Sequence, residues 1–123
     1  MGCDYNKLVV LVVEDDPLLR IDLTDWIEDE GLEVLSASIA CAAIDIIRDT
    51  PRIHAVVTDI EMPGAMNGIG LAHYLGGRFP GALLLITSGG VWPREEELPP
   101  GAIFLVKPFD PLALVKRIVT HAF

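Results

Sequence analysis

The sequence predicts an α/β protein: a doubly wound parallel sheet of five strands with about five helices on its two faces. Three observations carry this. Short apolar, β-branched runs alternate five times with segments whose apolar residues recur at helical spacing. Apolar residues make up 51% of the chain and mean hydropathy is +0.45, as expected when strands are covered on both faces. The 123 residues suit one domain, large enough to need neither a disulfide nor a structural metal for stability.

The first strand is read at Lys7–Val13 (KLVVLVV), which leaves residues 1–6 as a tail and 7–123 as the domain. Asp16-Pro17 supplies an N-cap and a proline at N1 for a helix carrying Leu19, Leu23, Trp26 and Ile27 as far as Gly31. A second strand follows at Glu33–Ala37. Ser38 is expected to cap a helix with Ile39, Ala43, Ile44 and Ile47, which Pro51 stops. The third strand, His54–Thr58, runs into Asp59. After a Pro/Gly-rich loop over 60–67, a helix is expected from Gly68 to Leu75, closed by Gly76-Gly77. Ala82–Thr87 and Ala102–Val106 are the fourth and fifth strands, and Asp110-Pro111 opens the last helix.

Eighteen acidic residues against nine basic ones give a net charge of −9. The bases form no stripe, which argues against direct binding to nucleic acid or to an anionic membrane. The longest apolar run, Leu8 to Val13, is far short of the ~20 residues that a membrane helix needs. Cys3 and Cys41 make no disulfide framework, and no apolar leader precedes Cys3, so a cytoplasmic location is expected.

In an open parallel sheet a site forms beyond the carboxyl ends of the strands. The residues there are Glu14-Asp15-Asp16, Asp59, Thr87-Ser88 and Lys107-Pro108. If the first and third strands are neighbours, Glu14, Asp15 and Asp59 converge. At ~5 Å and an effective dielectric of ~20, each like-charge pair costs on the order of 3 kcal/mol. A hard divalent cation relieves that repulsion, and oxygen ligands with room for water suit Mg²⁺. Asp16 is sufficiently explained as a helix cap. Lys107 is placed to meet an anion carried on Asp59, and Thr87 offers a hydroxyl.

The segments VVEDDP, VVTDIEMPG, LITSG and FLVKPF, in this order, resemble the response-regulator receiver domain of two-component signalling. The resemblance spans nearly the whole domain, and Asp59 stands 44 positions after Asp15, a usual separation for the family. It implies a flavodoxin-like sheet of strand order 2-1-3-4-5. It also implies that Asp59 accepts a phosphoryl group and that Asp15 binds Mg²⁺ directly and Glu14 through water. The main-chain carbonyl of Glu61 would be a further ligand. Thr87 would bond the phosphoryl group, Lys107 would pair with it, and Phe104 would take the place of the aromatic switch residue. The implied partners are a histidine kinase or histidine phosphotransfer protein as donor and an output protein. Such a chain is not an enzyme beyond its own phosphorylation and dephosphorylation. Receivers also lead one to expect a cis Lys107–Pro108 bond.

Three other readings compete. A flavin binder on this fold would not place Glu14-Asp15-Asp16 where a flavin phosphate must sit. A haloacid-dehalogenase-type phosphatase wants an aspartate two residues after its nucleophile, where Glu61 stands here. A pseudo-receiver would keep the fold and act as a protein-interaction module without phosphorylation; none of its usual missing residues is missing here.

The sequence departs from the receiver pattern in three places: Glu14 replaces the commoner aspartate, the loop at Met62–Gly68 is longer than usual, and the Thr87–Lys107 interval is shorter. Between Ser88 and Gly101, prolines leave only Pro93–Leu98 for a fourth helix, which is therefore expected to be short or mobile. Val91 and Trp92 would anchor it, with Trp92 a partly buried clamp. A monomer that signals by binding another protein is the expected consequence.

Overall fold

The computed structural model describes residues 8–64 and 66–122. Lys7, the expected start of the first strand, and the expected tail over 1–6 with Cys3 lie outside them. Five strands, β1 (Val9–Val13), β2 (Glu33–Ala37), β3 (Ala55–Asp59), β4 (Leu83–Ser88) and β5 (Ile103–Val106), pair in parallel in the order β2-β1-β3-β4-β5. Four α-helices connect or follow them: α1 (Pro17–Asp29), α2 (Ala40–Arg48), α3 (Gly68–Arg78) and α4 (Pro111–Ala122). The architecture is the doubly wound sheet that the sequence predicts.

Period-two alternation splits each continuous apolar strand between two cores. Val10, Val12, Val57 and Leu85 pack with Leu23, Ile27, Leu114 and Ile118 under α1 and α4. Leu11, Val13, Val56 and Leu84 pack with Ala43, Ile47, Leu71 and Leu75 under α2 and α3. Full burial of one such side chain is worth roughly 1.5–3 kcal/mol, so the central strands are anchored on both faces.

Helix starts follow local chemistry, with one exception. Asp16 Oδ1 accepts from the N–H groups of Leu18 and Leu19 at 3.0 and 3.4 Å, and Pro17 occupies N1. Asn67 Oδ1 does the same for Ile69 and Gly70, both at 3.0 Å. Ser38, however, does not cap α2. Ile39 occupies the N-cap position in extended geometry without a side-chain bond, because the helix begins one residue too late for the serine to reach it.

Two further expectations are corrected. Gly76-Gly77 does not end α3, which continues to Arg78 and stops at Phe79 before Pro80. Gly76 lies against Leu84, where a Cβ would be 3.5 Å from its Cδ1, so it serves as a contact with the sheet. The fourth helix, expected over Pro93–Leu98 to be short or mobile, is short: one 3-10 turn, Glu95–Glu97, with Pro93 outside it. Glu97 Oε1 accepts from the Arg94 N–H at 2.8 Å, and Pro99 is buried behind it. Trp92 is 72% exposed and so is not a partly buried clamp; its ring meets Phe104 edge-on, with centroids 5.8 Å apart.

Candidate functional site

Parallel pairing brings the carboxyl ends of β1, β3, β4 and β5 to one side of the sheet, and the chemistry sits there. Glu14 follows β1; its N–H donates to the Ala37 carbonyl at 3.1 Å, and its side chain is buried. Asp59 closes β3 in register with Thr87 on β4. Asp59 is buried as well, whereas Asp15 is exposed at the rim. Each of Glu14, Asp15 and Asp59 offers an oxygen within 4.8 Å of the others, a spacing able to hold a metal ion.

Lys107 follows β5 and reaches into this group. Its Nζ lies 2.8 Å from Glu14 Oε1 and 3.2 Å from Asp59 Oδ2. The backbone holds the lysine there, its N–H donating to the Ser88 carbonyl at 2.8 Å. The Lys107–Pro108 bond is cis, as expected. Burial pushes the carboxyls of Glu14 and Asp59 above their ordinary range, and Lys107 only partly offsets this. Burial alone would lower the ammonium of Lys107, but its contacts with Glu14 and Asp59 outweigh that and raise it. Two buried carboxylates on one ammonium leave an unneutralised negative charge, to which Asp15 adds. That donor set is oxygen-only and net anionic, and it fits a hard divalent cation such as Mg²⁺.

Thr87 is buried, and its hydroxyl is directed to the Thr58 carbonyl at 3.5 Å, the limit for a hydrogen bond. Phe104 is half-buried beside Ile60, Ala72 and Ile86. The Glu61 N–H donates to Asp59 Oδ1 at 3.2 Å, which ties the loop after β3 to that carboxylate.

Three supporting contacts went unnoticed in the sequence. Arg20 Nη1 donates to the Glu14 carbonyl at 2.7 Å; its helical spacing from Asp16 was the available signal. Gly68 admits the start of α3 against the Asp59 backbone, where a Cβ would lie 1.9 Å from the Asp59 carbonyl oxygen. The Glu61 carboxylate accepts from Ser88 Oγ at 2.7 Å and from the Gly90 N–H at 3.1 Å, and these bonds, the serine's first, draw its pKa down. Only their lying at adjacent strand ends hinted at that link.

Beside the acidic crevice a groove of about 460 Å³ runs between α1 and the turn before α4, lined by Leu18, Leu19, Asp22, Trp26, Lys107 and Phe109 among others. Leu18 and Ile21 on α1 and Leu112 on α4 are exposed. Among the described residues no helix is long and apolar enough to cross a membrane.

A doubly wound sheet with an acidic crevice and an opposed lysine at its switch point defines a class of signalling domain, and comparison with known proteins agrees. The response regulator receiver domain family matches residues 10–119. This chain belongs to that family and is a receiver domain of the response regulators of two-component systems. It is 35% identical over 116 residues to the response regulator protein FleR of Pseudomonas aeruginosa, covering 92% of this chain and 24% of FleR. It is 34% identical over 116 residues to the transcriptional regulatory protein FixJ of Azorhizobium caulinodans, covering 92% of this chain and 54% of FixJ. The chain thus spans about a quarter to a half of these relatives' length. In fold it is similar to a response regulator receiver protein from Sinorhizobium medicae, with a TM-score of 0.87, 24% identity and 97% of each chain covered.

Proposed function

We propose that this chain is a cytoplasmic phosphoryl-accepting switch in which Asp59 takes a phosphoryl group from a phosphohistidine donor. The observation that carries the reading is the buried Asp59 carboxylate, 3.2 Å from Lys107 Nζ and grouped with Glu14 and Asp15. Glu14, Asp15, Asp59 and the Glu61 carbonyl would hold Mg²⁺, which supplies positive charge to offset charge on the phosphoryl oxygens.

Asp59 acts as nucleophile. Its carboxylate oxygen forms a bond to phosphorus while the phosphorus–nitrogen bond of the donor breaks, and the electron pair leaves on the imidazole. Lys107 keeps its proton throughout and pairs with the transferred group. The product is an acyl phosphate; attack of water on its phosphorus restores the carboxylate and releases phosphate. The chain thus catalyses only its own phosphorylation and dephosphorylation and is not an enzyme toward other substrates. Thr87 would turn its hydroxyl from the Thr58 carbonyl to the phosphoryl group, and Phe104, which touches Trp92, would follow and alter the surface presented to an output protein. The groove beside α1 is the surface on which a histidine kinase or histidine phosphotransfer protein is proposed to dock.

Incubation with acetyl phosphate and Mg²⁺ followed by intact-mass measurement tests this. One added phosphoryl group is expected on the native chain and none on Asp59→Asn. Equal labelling of both would overturn the assignment. No labelling of the native chain would favour a module that signals without phosphorylation.

A further inference from the structure

The side chain of Glu61 joins two loops that the acceptor chemistry treats separately. Its N–H is bonded to Asp59, but its carboxylate takes the Ser88 hydroxyl at 2.7 Å and the Gly90 N–H at 3.1 Å. Ser88 Oγ in turn accepts from the N–H groups of Val91 at 2.9 Å and Gly90 at 3.3 Å. Gly90 passes so close that a Cβ there would meet Glu61 Oε2 at 3.0 Å. On the other side of the turn, the Ser88 carbonyl accepts from Lys107, and a Cβ on Gly89 would lie 3.5 Å from Lys107 Cβ. The turn at 88–91 is therefore held between Glu61 and Lys107.

The next helical turn begins only at Glu95, so the amides of this turn depend on side-chain acceptors. Ser88 Oγ already serves the amides of both Gly90 and Val91, so satisfying the turn does not require Glu61. What the carboxylate adds is a bond across to β4, from the loop that follows Asp59 to the turn that follows Thr87.

We infer that Glu61 is a positioning residue, a latch that holds the 88–91 turn in its resting conformation and opposes the switch. This rests on the proposed role of Asp59. A phosphoryl group there would draw the Thr87 hydroxyl away from Thr58. Ser88 is next in the chain and must follow, so its bond to Glu61 lengthens or breaks. Removing the latch then favours the switched arrangement without any change to the acceptor, the lysine or the acidic groups.

The test compares the native chain with Glu61→Ala, Ser88→Ala and Glu61→Gln. Gln keeps an oxygen able to accept both bonds. Amide hydrogen exchange at Gly90 and Val91 is measured without phosphodonor. Exchange is expected to accelerate about fivefold or more in both alanine variants and to return toward the native rate in Glu61→Gln. Labelling by acetyl phosphate at fixed Mg²⁺ should quicken by about the same factor in the alanine variants. Unchanged exchange in either alanine variant, no rescue by Gln, or labelling that is unchanged or slower overturns the latch. If the native chain itself takes no phosphoryl group, the role of Asp59 falls instead, and the exchange measurements alone then decide whether Glu61 restrains the turn.

Discussion

Lys107 faces two buried carboxylates with one positive charge, and this imbalance sets the behaviour of the site residue by residue. Replacing Asp59 with Asn leaves Lys107 paired one-to-one with Glu14. The sign of the pH effect follows from the raised carboxyl of Asp59. A group whose folded pKa is raised contributes stability below its unfolded pKa and loses it as pH rises through the folded value. In metal-free buffer Asp59→Asn should therefore unfold at a higher temperature than the native chain near neutral pH. That advantage should vanish as pH falls through the raised pKa of Asp59, where the native side chain is itself neutral. Thermal melts in chelator from pH 4 to 8 check this, and an advantage independent of pH would contradict the charge argument. Gly68 is a second residue-scale case. The three atoms nearest to a Cβ there are backbone atoms of Asp59 and Ile60, which cannot rotate aside. Gly68→Ala should cost roughly 1–3 kcal/mol in urea unfolding, as overpacked sites do, and should slow labelling of Asp59 because its carbonyl must move.

Among the elements, α1 shows the clearest conflict between local stability and function. Glu28 and Asp29 lie in its last turn, where the helix dipole is negative, and no basic residue accompanies them. Asp22 and Asp25 extend the acidic character along the helix, beside the groove that carries Leu18 and Lys107. These charges do not stabilise the helix end; if they steer the phosphodonor, its docking surface carries a complementary basic patch. Transfer from the cognate donor should slow steeply as salt rises, because surface charges steer association only within about a Debye length. Stopped-flow transfer rates across a salt series would test it, and a flat series would remove the steering role. The connection between β4 and β5 differs in kind. With a single 3-10 turn and an exposed Trp92, it has little apolar burial of its own and depends on side-chain ties, Glu61 at its start and His73 Nε2 to the Glu97 carbonyl at 2.8 Å.

At the scale of the whole molecule, the two cores on either side of the sheet carry the stability, and the crevice at its carboxyl edge detracts from it. A cation that binds only the folded chain adds RT ln(1 + [L]/Kd), about 1.4 kcal/mol at a tenfold excess over Kd. Mg²⁺ should accordingly raise the Tm of the native chain and do so much less for Asp59→Asn, which lacks the negative charge of one of the grouped carboxylates. Equal shifts in both proteins would place the ion elsewhere.

The alternation of apolar runs and helical patterns, and the residues just beyond each strand, were legible in the sequence by itself. Strand and helix periods are local properties, and parallel pairing obliges every strand to deliver its last residue to the same edge. Glu14, Asp59, Thr87 and Lys107 could therefore be named before any contact was known, and the caps at Asp16 and Asn67 act within their own helical turn. Where the outcome depended on residues distant in the chain, only the tertiary structure decided it. The sheet surface at Leu84 carries α3 through two glycines that propensity alone would read as a stop. Trp92 stays 72% exposed even though its ring meets Phe104, a residue 12 positions on, in an edge contact. The bond from Glu61 to Ser88 spans 27 positions and arises because β3 and β4 are neighbours in the sheet. No local pattern encodes such a contact, since its energy depends on a separation that the chain acquires only when all five strands are in place.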